Sequence, residues 1–257
     1  MDQQKQYRAL LAVDIEASAG RGNQALQVIR EGLFNALRES LRHSEIDWDS
    51  CTRHDLGDGL RVIAPAGTLK SQMIHPLLHE LSVRLRAHNQ LAAALAQIRV
   101  RVALHAGEVS LDGDGQATGQ PLEVLARLLD ATPVRMALTQ SPQTVTSVAV
   151  LSQHFFADTV GHGYPGIDGD AFHRVPIHVK KYTADAWLYL PDPAFALPPT
   201  LSTPDDERPM TPTRPPSNSP DDALRQNRST MNNKASGHGI IYATQNGTLN
   251  INPDDRT

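Results

Sequence analysis

Hydrophobic and polar positions alternate along the chain in a readable order. Arg8–Ile15 is an almost unbroken apolar run, the pattern of a strand covered on both faces. After a glycine-containing loop, Leu26, Ile29, Leu33 and Leu37 recur at helical spacing as far as Leu41. Asp47–Arg53 and Leu60–Ala64 flank the sequence His54-Asp55-Leu56-Gly57-Asp58-Gly59, a hairpin with a Gly- and Asp-rich turn, and Pro65 ends its second strand. His75–His88 predicts a second amphipathic helix, with Leu77, Leu78, Leu81 and Leu85 turned inward. In Ile98–His105, Ile98, Val100, Val102 and Leu104 take one face of a strand and Arg99, Arg101 and His105 the other. The order β-α-β-β-α-β predicts an α+β protein with a ferredoxin-like core, an antiparallel sheet carrying two helices on one face.

Further along, Gly107–Gly119 reads as a loop or short hairpin, Leu122–Ala131 as a third helix and Met136–Leu138 as a short strand. Thr144–Phe156 is apolar and fits either a strand or a helix, Gly161–Asp170 is rich in turn residues, and Val175–Val179 with Ala186–Leu190 form a closing pair of strands. The pattern predicts a folded domain over residues 1–192. From 193 to 236 proline, serine, threonine, asparagine and aspartate dominate, a composition that buries too little apolar surface to offset its ordering entropy and predicts a disordered linker. The last segment, 237–257, contains a strand–Asn246-Gly247–strand pattern, the strongest short hairpin signal.

Composition narrows the function. The chain has 257 residues and a net charge of −4, which advertises neither a nucleic-acid nor a membrane-binding surface. A single cysteine, Cys51, excludes an internal disulfide and suits a reducing compartment. The amino-terminal apolar run is short and ends in acid, unlike a signal peptide, and no stretch approaches the ~20 apolar residues of a membrane span. A cytoplasmic location is expected. His154, His162, His173 and His178 match no zinc-ligand spacing. Cys51 has no base beside it in sequence and reads as a small buried residue.

Two acids stand out because each closes an apolar strand: Asp14 at the end of the first, Asp58 in the hairpin turn. Two carboxylates at two strand ends are suited to hold divalent metal beside a phosphate chain. The alternative for each is structural, Asp14 capping the following helix and Asp58 supporting its turn. The segments VDIEAS, LGDGLRV, RVALHAGEV and GQPLEVLARLLDA, in that order, resemble the motifs of the class III adenylate/guanylate (nucleotidyl) cyclase homology domain over roughly residues 7–190.

That resemblance implies a catalyst that converts a nucleoside triphosphate to a 3′,5′-cyclic nucleotide and pyrophosphate with two divalent ions, Mg²⁺ or Mn²⁺, at a homodimer interface. Asp14 and Asp58 would be the metal ligands, with the Ile15 carbonyl adding another, and backbone amides near Ser18 and Gly20 would hold the terminal phosphates. The partner chain would contribute a helix with an asparagine and, four residues on, an arginine. Arg127 matches the arginine, but Glu123 stands at the asparagine position. An exposed Glu123–Arg127 pair at i,i+4 is the alternative reading of the same residues. The positions that read the base hold His54 and Gln116, neither the lysine–aspartate pair of adenylyl nor the glutamate–cysteine pair of guanylyl cyclases. Lys180 or Lys181 falls where the family places a triphosphate-binding lysine.

Retained aspartates favour a divergent cyclase. The departures at Glu123, His54 and Gln116 favour a cyclase-like nucleotide sensor or dimerising scaffold that signals through its tail. Gly239–Asn252 is low in charge, proline-free and rich in Gln, Asn and β-branched residues, and resembles short amyloid-signalling motifs of bacterial sensors and effectors. It is expected to bind a partner or self-assemble, the alternative being a lone hairpin that docks on the domain or stays disordered.

Overall fold

The computed structural model describes residues 4–113 and 115–191. The expected boundary at 192, the linker and the tail lie outside the described residues. The elements run β1 (Gln4–Ile15), α1 (Asn23–His43), β2 (Thr52–Asp55), β3 (Gly59–Ile63), α2 (Leu77–Leu91), β4 (Val100–Leu111), β5 (Ala117–Thr118), α3 (Gln120–Leu129), α4 (Thr132–Gln140), β6 (Ser147–Ser152), α5 (Gln153–Ala157), β7 (Phe172–Val179) and β8 (Tyr182–Tyr189). They build one sheet in the order β2-β3-β1-β4-β6-β8-β7, with β5 paired to the end of β4.

β1 and β4 are the long central pair, antiparallel from Gln4↔Leu111 to Ile15↔Val100. Side chains alternate across this pair. Ala9, Leu11, Val13 and Ile15 meet Val100, Val102 and Leu104 on one face, under α1 and α2. Leu10, Ala12 and Ala103 line the other face, against Leu122, Leu125 and Leu128 of α3 and Val134, Ala137 and Leu138 of α4. The ferredoxin-like core and its two helices on one face are therefore present, and a second helical layer covers part of the opposite face.

One expectation is corrected. Met136–Leu138 is not a strand but lies within α4. Pro133 in the first turn presets the helical φ, and Val134, Ala137 and Leu138 at i, i+3 and i+4 bury one stripe, a pattern that three residues taken alone cannot display. The β1–β4 core is antiparallel throughout, as expected; beyond it, β4 and β6 are parallel, because α3 and α4 form the crossover that returns the chain to the same end of the sheet. The ambiguous 144–156 segment divides at Ser152, whose hydroxyl accepts the amide of Phe155 at 3.1 Å and starts α5.

A polar cluster lies where β1, β4 and α5 meet. His105 Nδ1 and Ser152 Oγ share a hydrogen bond of 2.8 Å, Tyr7 Oη and His154 Nε2 another of 2.7 Å, and Lys70 pairs with Asp158 at 2.5 Å. Burial, with His154 nearby, lowers the His105 imidazole to about 4. Cys51 is buried, its thiol pushed up to about 11 by desolvation, as a packed and unreactive side chain requires.

Candidate functional site

The acidic part of the site is assembled by main-chain contacts between three strands. Asp14 is opposite Gly59 of β3 and Arg101 of β4. Beyond the ladder, Ile15 donates its amide to the Asp58 carbonyl at 3.0 Å and Glu16 donates to the Arg99 carbonyl at 2.8 Å. The first bond holds the turn carrying Asp58 against the end of β1, and the second ties that end to β4. Gly59 permits the approach: a Cβ there would lie 2.0 Å from the Val13 carbonyl oxygen. Gly57, at φ 91°, supplies the left-handed residue of the turn.

Ser18 Oγ donates to Asp58 Oδ2 at 2.9 Å, so Ser18 belongs to the same cluster as both aspartates. Arg21 braces the loop between β1 and α1, donating to the carbonyls of Ala17 and Glu16, each at 2.7 Å, and to Gln97 at 2.5 Å. No side chain caps the first turn of α1, and that turn holds no acid.

Asp14 receives a two-pronged contact from Arg101, Nε to Oδ1 at 2.9 Å and a terminal nitrogen to Oδ2 at 2.5 Å. Burial pushes the Asp14 carboxyl above its usual range; Arg101 opposes the rise and the negative charge of Asp58 adds to it. A half-buried carboxylate still pushed upward beside a second carboxylate is a donor set that suits a hard cation, and a carboxylate offers four lone-pair directions of which Arg101 takes two. Among the described residues no group of three or more His, Cys, Asp or Glu is placed to hold a metal ion, so any ion held here would complete its shell with main-chain, water or substrate oxygens.

A cationic cluster forms elsewhere on the chain. Glu123 and Arg127 of α3 line a cavity of about 460 Å³ together with Lys180 and Lys181 of the β7–β8 turn and Tyr182 at the start of β8. Lys180 occupies the left-handed region at φ 55°, which fixes this two-residue turn in an unusual conformation for lysine. Among the described residues neither Glu123 nor Arg127 makes an ion pair, so the i,i+4 alternative is not what holds them. Carrying the strand registers from β1 through β4 and β6 to β8 puts Tyr182 level with roughly residue 6 of β1, at the opposite end of that strand from Asp14. One chain thus presents Asp14 and Asp58 at one end of β1 and the Lys180–Lys181 turn at the level of the other.

The two expected base-reading residues are also apart. His54 pairs with Arg61, which pairs with Ala12, two residues from Asp14. Gln116 is exposed in the turn before β5, hydrogen-bonded locally to Asp112, at the far end of β4. The reading from sequence assigned no role to Arg99, Arg101 and Arg61. Arg99 is buried, donating to the Val145 carbonyl at 2.9 Å and to the Ser141 carbonyl at 3.3 Å, and it pairs with Glu16 at 3.0 Å. The available signal was three arginines within otherwise apolar strands.

No protein-family model matches the chain, and no curated protein matches it in sequence. Solved structures do match. The chain is similar to the guanylyl cyclase Cya2 at a TM-score of 0.52 and 14% identity, covering 74% of this chain and 93% of that one. It is similar to an adenylate/guanylate cyclase/hydrolase from Silicibacter pomeroyi at 0.52 and 16%, covering 74% of this chain and 100% of that one. The architecture is that of nucleotidyl cyclase domains.

Proposed function

We propose that the protein is a divergent nucleotidyl cyclase that converts a nucleoside triphosphate to a 3′,5′-cyclic nucleotide and pyrophosphate at sites shared between two copies of the chain. The observation that carries this reading is the separation of Asp14, Asp58 and Ser18 from Arg127, Lys180 and Lys181. Each set is half of a site for a metal-bound triphosphate, and an isologous pair of chains brings one half to the other twice.

Asp14 and Asp58, with the Ile15 carbonyl, would hold two Mg²⁺ or Mn²⁺ ions. When bound, such ions polarise the α-phosphate and acidify the ribose 3′-hydroxyl. The remaining work falls to the chain. The loop from Ser18 to the uncapped first turn of α1 presents amides to the terminal phosphates. Arg127 and a lysine of the Lys180–Lys181 turn place fixed positive charge where pyrophosphate leaves. Glu123, exposed on the same helix face, is left to orient the ribose by accepting a hydroxyl hydrogen.

A second reading has its own support: Arg101 engages both oxygens of Asp14 and already supplies the positive charge an ion would bring. On that reading the domain binds nucleotide without turnover, or only dimerises, and passes the state to its tail.

The deciding experiment incubates the protein with ATP, GTP, CTP and UTP separately in Mn²⁺ and reads products by mass spectrometry, then repeats it with Asp58→Asn, Arg127→Ala and an equimolar mixture of the two. Each variant alone is expected to be inactive. The mixture regains about a quarter of wild-type activity, since half the dimers are mixed and each holds one intact site. A mixture as inactive as its components would end the shared-site reading, and no product from any nucleotide with wild type would favour the sensor.

A further inference from the structure

Arg21 lies between two segments of chain and spends its donors on the main chain of both. Its Nε donates to the Ala17 carbonyl and one terminal nitrogen to the Glu16 carbonyl, each at 2.7 Å. The other terminal nitrogen donates to the Gln97 carbonyl at 2.5 Å and the Leu95 carbonyl at 3.4 Å. Glu16 and Ala17 belong to the loop after β1, Leu95 and Gln97 to the connection between α2 and β4. That connection is itself fastened to the end of α2. His88 Nε2 donates to the Ala96 carbonyl at 3.0 Å. The Asn89 side-chain amide grips Ile98 twice, accepting its N–H at 2.7 Å and donating to its carbonyl at 2.8 Å.

We infer that Arg21 is a positioning residue for the polyphosphate: together with Asn89 it forms a link through which the end of α2 sets the conformation of the loop that holds the phosphates. The inference rests on the phosphate-holding part of the cyclase reading and adds the residues that control it.

The argument starts from the peptide unit. The peptides joining Glu16, Ala17 and Ser18 are trans, so the N–H of each points opposite to its C=O. Two successive carbonyls drawn onto one guanidinium turn the amides of Ala17 and Ser18 together to the other side. Ala17 sits between them at φ 49°, a left-handed conformation that is costly for a residue with a Cβ and is kept only where the surroundings impose it. Successive amides turned to one side of a left-handed residue form an anion-binding concavity. Among the described residues neither amide donates to another group, and Ala17 is exposed. Direct contact with a phosphate is the other role open to an arginine in this loop. Here Nε and both terminal nitrogens are already committed to carbonyls, so Arg21 acts through the loop.

Binding of inorganic tripolyphosphate to the full chain in Mn²⁺ is measured by calorimetry, with folding followed by circular dichroism. Arg21→Met is expected to bind about tenfold more weakly than wild type, the lower end of what a hydrogen bond to a charged group contributes. Arg21→Lys, which keeps the charge but cannot span both segments, should lose nearly as much. Asn89→Ala, which touches the connection and not the loop, should lose about fivefold, a modest coupling between two places in one fold. The Arg21→Met, Asn89→Ala double variant should bind no more weakly than Arg21→Met alone, because both changes break one link. A lysine variant that binds like wild type would make Arg21 a charge for the phosphates and overturn the inference. Losses that multiply in the double variant would overturn it as well, as would unchanged binding by any folded single variant. Asn89→Ala carries the test if the Arg21 variants do not fold. The expected pattern without a cyclic product from any nucleotide would uphold the link and end only the catalytic reading, whereas wild type that binds no tripolyphosphate would overturn both.

Discussion

Gly59 and His105 each show one residue deciding something that its neighbours cannot. At Gly59 the decision is steric. A methyl group 2.0 Å from the Val13 carbonyl must push β3 away from β1, at the register position where Asp14 meets the hairpin turn. Gly59→Ala is expected to cost about 3 kcal/mol, read as a lowered urea midpoint, and to weaken Mn²⁺-dependent nucleotide binding. Gly57→Asn, which tolerates a left-handed φ, should be much milder. An alanine variant as stable as wild type would show that the strands yield there.

At His105 the decision is electrostatic. Its folded pKa, about 4, lies below the usual 6.5. Between those values the unfolded chain binds the proton and the folded chain does not, so stability is complete above about pH 6.5 and is lost as pH falls toward 4. At pH 5 the expected loss relative to pH 7 is about 2 kcal/mol from this group. His105→Gln, which can keep a hydrogen bond to Ser152, should flatten that part of the profile. If both proteins lose equal stability between pH 7 and pH 5, the imidazole is not the group responsible.

The ends of β1 and β4 are where an element's role exceeds that of any one side chain. Asp14 and Arg101 face each other because two strands run in antiparallel register, and both are largely removed from water, with 16% and 14% of their side-chain surfaces exposed. Arg101→Met leaves Asp14 charged and unmatched, at an expected cost of about 2 kcal/mol, less than a fully buried pair would lose. If Asp14 is a metal ligand, Mn²⁺ should raise the melting temperature of Arg101→Met more than that of wild type, because the ion then replaces the missing charge. An equal Mn²⁺ effect on both proteins would remove Asp14 from the proposed metal site.

Much of this was legible in the sequence at the level of elements. The unbroken run of β1 and the alternation along β4 gave strands, faces and central positions, because burial imposes those periods directly. Asp14 and Asp58 stood out as acids closing apolar strands, whereas Ser18 came only from the resemblance of VDIEAS to a family motif. α4 was missed because only three of its nine residues were weighed, and the parallel β4–β6 pair because parallel pairing is a property of the crossover and not of either strand. Arg61 and Arg101 were passed over for a similar reason: a strand's alternation says which face a residue takes but not which residue of another strand it meets.

At the scale of the whole molecule, the described residues contain no helix long and apolar enough to cross a membrane, and the sheet sets the outer limits of what a single chain can do. The Asp14–Asp58 pair and the Lys180–Lys181 turn stand at opposite ends of β1, and an eight-stranded sheet does not fold back on itself to join them. On the cyclase reading this fixes the kinetic order of the enzyme. Dilute chains would form product at a rate rising with the square of their concentration, and only crowded ones at a rate proportional to it. Whatever gathers these chains in one place, a rise in expression or an assembling partner, would then act as an activator without touching the chemistry at all.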